Sequence, residues 1–169
     1  MIKTRQITLT AIFVALGILF PMIFHAMGIG SIFLPMFWPL AIGAFFLSME
    51  YAILMGLATP VLSMMLTGMP PVPILYFMMA ELMTMAAVIS YLSRNYRWGI
   101  FWTLLAGLLV SRLVLFLGYI SLGAILGLPK QMTGLVFTAK GLPGVLLMLG
   151  LLPPLLSRFR HHPIFIRGN

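Results

Sequence analysis

Two ionisable residues sit inside apolar runs, and the chemistry they offer is ionic grip. Glu81 lies within PILYFMMAELMTMAAVISYL and Arg112 within IFWTLLAGLLVSRLVLFLGYI. The chain has only two acidic residues, Glu50 and Glu81, in 169. In lipid an ionisable side chain near a helix centre costs roughly 2.5–3.5 kcal/mol on insertion scales, so it is generally retained for a task. Glu81 stands seven residues after Ile74, about 10 Å along a helix, and Arg112 stands seven before Tyr119. With Lys140 at the mouth of the last apolar segment, three ionisable groups fall in the outer half of the last three helices. Two readings follow. A structural Glu81–Arg112 salt bridge locks two helices, or a polar pocket open to the outside uses the pair to contact or organise a ligand. Lys140 favours the second, as a cation the pair does not neutralise, unless it only snorkels to the headgroups.

The elements that position these residues are membrane helices. The chain is 62% hydrophobic and 7% charged, with a mean hydropathy of +1.15. A span needs roughly 20 apolar residues, so this length allows five or six spans with short loops and no separate soluble domain. Continuous rather than alternating apolar runs exclude a transmembrane β-barrel. The expectation is an all-α integral membrane protein, a single six-helix bundle over 1–169. Its helices are expected at about 7–26, 36–48, 52–66, 74–92, 99–119 and 141–156, with a basic tail over 157–169. Met49-Glu50-Tyr51 is expected as a tight turn. TGMPPVP is expected as a loop, because its prolines cannot continue a helix. The first apolar stretch runs to about Ala26, longer than the ~7–15 residues of a signal-peptide core, and reads as the first membrane helix.

The basic residues set the orientation. With six spans, Lys3, Arg5, Arg94, Arg97, Arg158, Arg160 and Arg167 share one side, against Lys130 and Lys140 on the other. Cytoplasmic loops carry the Lys/Arg excess, so both termini are expected inside. The same placement explains the net charge of +8 without nucleic acid.

The outer loops GSIFLPMFWP and TGMPPVP carry no charge but present Phe33, Phe37, Trp38 and Met69. Trp38 reads either as a membrane anchor or, with its neighbours, as part of a proline-stiffened lid over a small ligand. His25, near the outer end of the first helix, touches a ligand or caps a helix end. Small residues four apart, Ala11 and Ala15, let another helix approach closely.

Several chemistries lack their residues. There is no cysteine, no G-x-x-x-x-G-K-[ST], no H-E-x-x-H and no Ser/His/Asp set. The fifteen methionines are scattered and read as flexible apolar filling rather than a copper site. His161 and His162 fall in the basic tail. No metal, no cofactor and no catalytic residue is expected, and active transport requires partners.

The order of segments resembles a family. K-x-R-x-I-x-L-T-A-I-F with Ala11 and Ala15 is followed by FLPMFWP, then GLATPVLSMMLTGMPP, a Glu-bearing fourth helix, and KGLPGVLLMLGLLPP. From about Lys3 to Leu156 this resembles the S components, the substrate-binding subunits of energy-coupling factor (ECF) vitamin transporters. The resemblance implies a six-helix prokaryotic plasma-membrane protein that captures a water-soluble vitamin or precursor outside the cell. It implies partnership with a T subunit and two ATP-binding subunits, which bind the ATP and Mg, and toppling of the subunit to deliver the ligand. It implies that Ala11 and Ala15 dock on the T subunit, and that the pocket is built from the loops after helices one and three and from helices four to six.

Relatives with this loop pattern often carry His after FLPM, where this chain has Phe37. The ligands implied are pyridoxine-like or hydroxymethylpyrimidine-like rings, pantothenate, nicotinate, lipoate or riboflavin. Glu81 against Arg112 and Lys140 leaves one positive charge and favours an anion, while Tyr76, Phe37 and Trp38 favour a ring. The candidate ligand residues are Glu81, Arg112, Lys140, Tyr76, Phe37, Trp38, Met69 and His25. The alternatives are a structural or assembly subunit with no ligand of its own, and a solo vitamin transporter working without ATP-binding partners.

Overall fold

The computed structural model describes residues 2–28, 33–96, 98–122 and 141–159. Six helices follow in order: α1 Ile2–Ala26, α2 Phe37–Phe46, α3 Met49–Thr67, α4 Ile74–Asn95, α5 Ile100–Leu122 and α6 Leu142–Phe159. No strand occurs among the described residues. Four of them, α1, α3, α4 and α5, are long and apolar enough to cross a bilayer, whereas α2 and α6 are shorter apolar helices. The membrane bundle expected from composition is therefore present, but its helices are unequal.

The second helix departs most from expectation. Its ten residues rise only about 15 Å, half of a hydrocarbon core. Eight of the ten are buried, including Phe37, Leu40, Ala41 and Phe45, so α2 lies inside the bundle rather than against lipid. It packs on α1 and α4 most extensively and also meets α3 and α6. A helix that ends inside an apolar bundle leaves carbonyls that water cannot satisfy. Three side chains take them up. Gln6 Nε2 donates to the Phe46 carbonyl at 3.5 Å, Ser90 Oγ to the Leu47 carbonyl at 2.8 Å, and Arg94 Nε to the Leu47 carbonyl at 3.1 Å. Arg94 Nη2 reaches Phe46 as well, at 3.4 Å.

The same knot moves the turn that follows. Ser48, extended at the N-cap, donates its backbone N–H to Gln6 Oε1 at 2.8 Å, and α3 starts directly at Met49. The expected turn at Met49-Glu50-Tyr51 is thus corrected to Leu47-Ser48. Glu50 occupies the first turn of α3, where an acidic group suits the helix dipole. Likewise α4 continues to Asn95, past its expected end at 92, because Ser90 and Arg94 have partners to reach. Helices α1 and α5 also outrun their expected limits, starting at Ile2 and ending at Leu122.

TGMPPVP forms the expected loop. Gly68 ends α3 in the left-handed region at φ 72°, its N–H bonded to the Met64 carbonyl at 2.8 Å. Prolines at 21, 60, 153 and 154 lie within helices, as membrane bundles tolerate.

Small residues set the helix spacing. A Cβ added at Gly56 of α3 would stand 2.8 Å from the backbone of Leu82 and Met83 on α4. At Gly107 of α5 it would meet Ile89 Cγ1 at 2.5 Å, a side-chain atom on α4, with the nearest α4 backbone atom, the Met85 carbonyl oxygen, at 3.4 Å. Gly150 has nothing within 4 Å. Overpacking costs about 1–3 kcal/mol where the neighbour is rigid. Gly56→Ala is expected to lower the thermal midpoint of the purified protein in detergent clearly, and Gly150→Ala to leave it nearly unchanged. Equal midpoints for the two variants would contradict this packing.

Candidate ligand-binding site

Glu81 on α4 and Arg112 on α5 meet, with Arg112 Nη1 at 3.0 Å from Glu81 Oε1. Glu81 is 2% exposed, and Arg112 is largely covered. Both helices place these residues inward for a simple reason: each lies on the face that α4 and α5 press together, with Leu82 and Met85 beside Glu81 and Leu108 and Leu115 beside Arg112. Phe77 and Tyr119 continue that seam as a parallel ring stack, 4.4 Å between centroids. Arg112 Nη2 is buried with no hydrogen-bond partner among the described residues.

The guanidinium has a second neighbour. Its carbon lies 5.2 Å from the centroid of the Phe37 ring, at the start of α2. A cation over an aromatic face gains about 0.5–2 kcal/mol, more when desolvated. The pair on α4 and α5 therefore fixes an aromatic side chain on α2.

Phe37 also forms part of the wall of a cavity of about 330 Å³. The end of α1 supplies Pro21 and His25, the strand of chain before α2 supplies Leu34 to Met36, and α3 with its following loop supplies Ser63, Thr67 and Met69 to Pro71. Met78 of α4 and Met22 of α1 line it as well. The walls are held by short local bonds. Trp38 Nε1 donates to the Phe33 carbonyl at 3.0 Å, and the Phe37 N–H to the Leu34 carbonyl at 2.9 Å. Leu34 sits at φ 49°, a left-handed conformation that costs a branched L-residue roughly 1–2 kcal/mol. Ser63 Oγ donates to the Met69 carbonyl at 2.9 Å, tying the proline loop down to α3.

Of the residues singled out in the sequence, His25, Phe37 and Met69 line this cavity. Glu81 and Arg112 are not among its lining residues; Arg112 is linked to it through Phe37, whose ring centroid is 5.2 Å from the guanidinium carbon. Trp38 is half-buried and braces the loop before α2 through its indole N–H. Tyr76 is 57% exposed and lies outside the lining. The helical repeat explains this. At about 100° per residue, Tyr76 is five positions and some 140° away from Glu81, whereas Phe77 and Met78 share its face. Lys140 lies outside the described residues. Ala11 and Ala15 are both exposed on α1, one turn apart.

Sequence reading missed Pro21, Ser63, Thr67 and Met78. A usable signal existed: Pro21 with His25, and Ser63 with Thr67, are each four apart and so share a helix face beneath the loops already suspected.

Removing one partner of a buried ion pair costs about 3–5 kcal/mol, because the other charge is left uncompensated, while replacing both by apolar groups is often neutral. Glu81→Leu and Arg112→Leu are each expected to destabilise the protein strongly in thermal unfolding, and the double variant to recover most of the loss. Additive single losses would show that the two charges are not energetically coupled.

Residues 5–156 match the family model for the ECF transporter, substrate-specific component. No curated protein and no solved structure matches the chain. The match spans α1 to within α6, including the described residues that line the cavity and the Glu81–Arg112 pair. The chain belongs to the substrate-specific components of ECF transporters, membrane subunits of transport rather than enzymes.

Proposed function

We propose that this chain captures a small water-soluble vitamin or vitamin precursor in the cavity beneath the α1–α2 and α3–α4 loops, from outside the cell. The observation that carries the reading is the position of that cavity. Its walls come from the far ends of α1 and α3, while Lys3, Arg5 and Arg94 lie at or beside the end where Gln6 and Arg94 hold Phe46 and Leu47. With the basic end cytoplasmic and both termini inside, the cavity faces the exterior of a prokaryotic plasma membrane.

Phe37, Met69 and His25 contact the ligand in this proposal, and the proline-stiffened segments beside Phe37 and Met69 cover it. Glu81 and Arg112 act one step removed, as positioning residues that hold Phe37. Lys140 is a further proposed ligand residue, while Trp38 braces the loop before α2 and Tyr76 stands outside the cavity lining. Delivery inward requires a T subunit and two ATP-binding subunits, which carry the ATP and Mg. Ala11 and Ala15, exposed and on one face of α1, are the proposed contact with the T subunit.

Two measurements test this. Freshly purified protein is expected to release one small molecule on denaturation, identified by mass spectrometry, and Phe37→Ala to reduce the amount retained severalfold without loss of fold. Ala11→Trp with Ala15→Trp is expected to abolish uptake of that molecule in cells carrying the partner subunits, yet leave its binding to the purified chain intact. Retention unaffected by Phe37→Ala, or binding lost with the alanine replacements, would contradict the assignment.

A further inference from the structure

We propose that the α4–α5 hairpin is an anchor seated in the headgroup boundary of the bilayer at the basic end of the bundle, its partner being phospholipid rather than protein. The proposal does not depend on what the cavity binds.

Its basis is where the exposed rings with polar tips stand. Among the described residues the exposed tyrosines and tryptophans are Tyr76, Tyr91, Tyr96, Trp98 and Trp102, and all but Tyr76 fall within 91–102. Three of them form a row across the turn. Tyr91 meets Tyr96 edge-on at 5.9 Å between centroids, and Tyr96 meets Trp98 at 6.5 Å. Trp102, in the first turn of α5, stands perpendicular to Phe101 at 5.4 Å. The end of α4 presents the row because Ser90 and Arg94 point inward, to the Leu47 carbonyl. At about 100° per residue, Tyr91 then turns away from the bundle.

What the row faces follows from what comes next on α5. Beyond Trp102 its large exposed side chains are all aliphatic: Leu109, Val110, Leu113, Leu117, Ile120 and Leu122. From Trp102 to Ile120 the helix rises about 27 Å, close to the ~30 Å of a hydrocarbon core. That face suits acyl chains. A ring with an apolar body and an O–H or N–H to satisfy suits the boundary just outside them, where phosphate and ester oxygens accept.

Charge agrees. No acidic residue follows Glu81 in the sequence, and the SRNYRW connection carries two arginines, so a phosphate meets no repulsion here. Arg94 is already engaged with the Leu47 carbonyl, which leaves the contact chiefly to the rings. The anchor is also one-sided. On α1 and α3 the large exposed side chains are Ile, Leu, Met and Phe20, so the rings fix depth along one edge of the bundle.

The test is tryptophan quenching in nanodiscs of phosphatidylcholine and phosphatidylglycerol, with bromine near either the glycerol end or the methyl end of the acyl chains. Trp38→Phe with Trp102→Phe leaves Trp98 as the one tryptophan, and Trp38→Phe with Trp98→Phe leaves Trp102. Should Trp38→Phe not fold, the difference between the unaltered chain and Trp98→Phe reads the same quantity. Shallow bromines are expected to quench Trp98 about twofold or more over deep ones, and Trp102, about 6 Å further along α5, by a smaller ratio. Tyr91→Leu with Tyr96→Leu is expected to lower the Trp98 ratio. Deep quenching equal to shallow, quenching of Trp98 by aqueous iodide but by neither bromine, or a ratio unmoved in the tyrosine variant overturns the proposal. So does a self-associated chain whose two hairpin tryptophans are shielded from lipid and iodide alike, which would make the row a protein contact.

Discussion

The rest of the bundle depends on how the C-terminal end of α2 is satisfied. A ten-residue helix packed among others cannot leave its last carbonyls bare where Phe46 and Leu47 are buried. Gln6 from α1 and Ser90 and Arg94 from α4 converge on Phe46 and Leu47 to meet that demand. Gln6 also holds the N–H of Ser48, so one side chain closes α2 and opens α3. Four helices are brought into register at one end by a handful of hydrogen bonds. The opposite end of α2, freed from that duty, presents Phe37 to the cavity.

Across the molecule, polar groups divide into two levels. At the basic end they serve the backbone. Toward the other end, Glu81 and Arg112 neutralise each other and act on Phe37, whose ring forms part of the wall. Membership of the ECF substrate-specific family gives this division a purpose: a scaffold held firmly at one end and a small cavity shaped at the other.

Much of this was legible in the sequence, and the failures have physical causes. Hydropathy and proline placement located the six helices of the described residues, because apolar run length and missing N–H groups are local properties. The Glu81–Arg112 contact was legible from depth, as both residues lie seven positions from their outer helix ends. The shortness of α2 was legible but its burial was not, since an apolar run does not reveal whether lipid or protein surrounds it. The turn at Leu47-Ser48 was displaced by hydrogen bonds from Gln6, more than forty residues away in sequence. Aromatic character marks Tyr76 in the sequence but does not show its rotation away from Glu81. Pro21, Ser63 and Thr67 were passed over because prolines and hydroxyls in helices read as packing until their common face is considered.

The roof over the cavity is stiff before any ligand arrives. Pro35, Pro70 and Pro71 fix their own φ angles, and Ser63 anchors the Met69 carbonyl between them. A clasp assembled in advance forfeits little chain entropy on engagement, so nearly all of the contact energy is left to hold the guest. For any guest held under such a rim, release rather than capture becomes the demanding step.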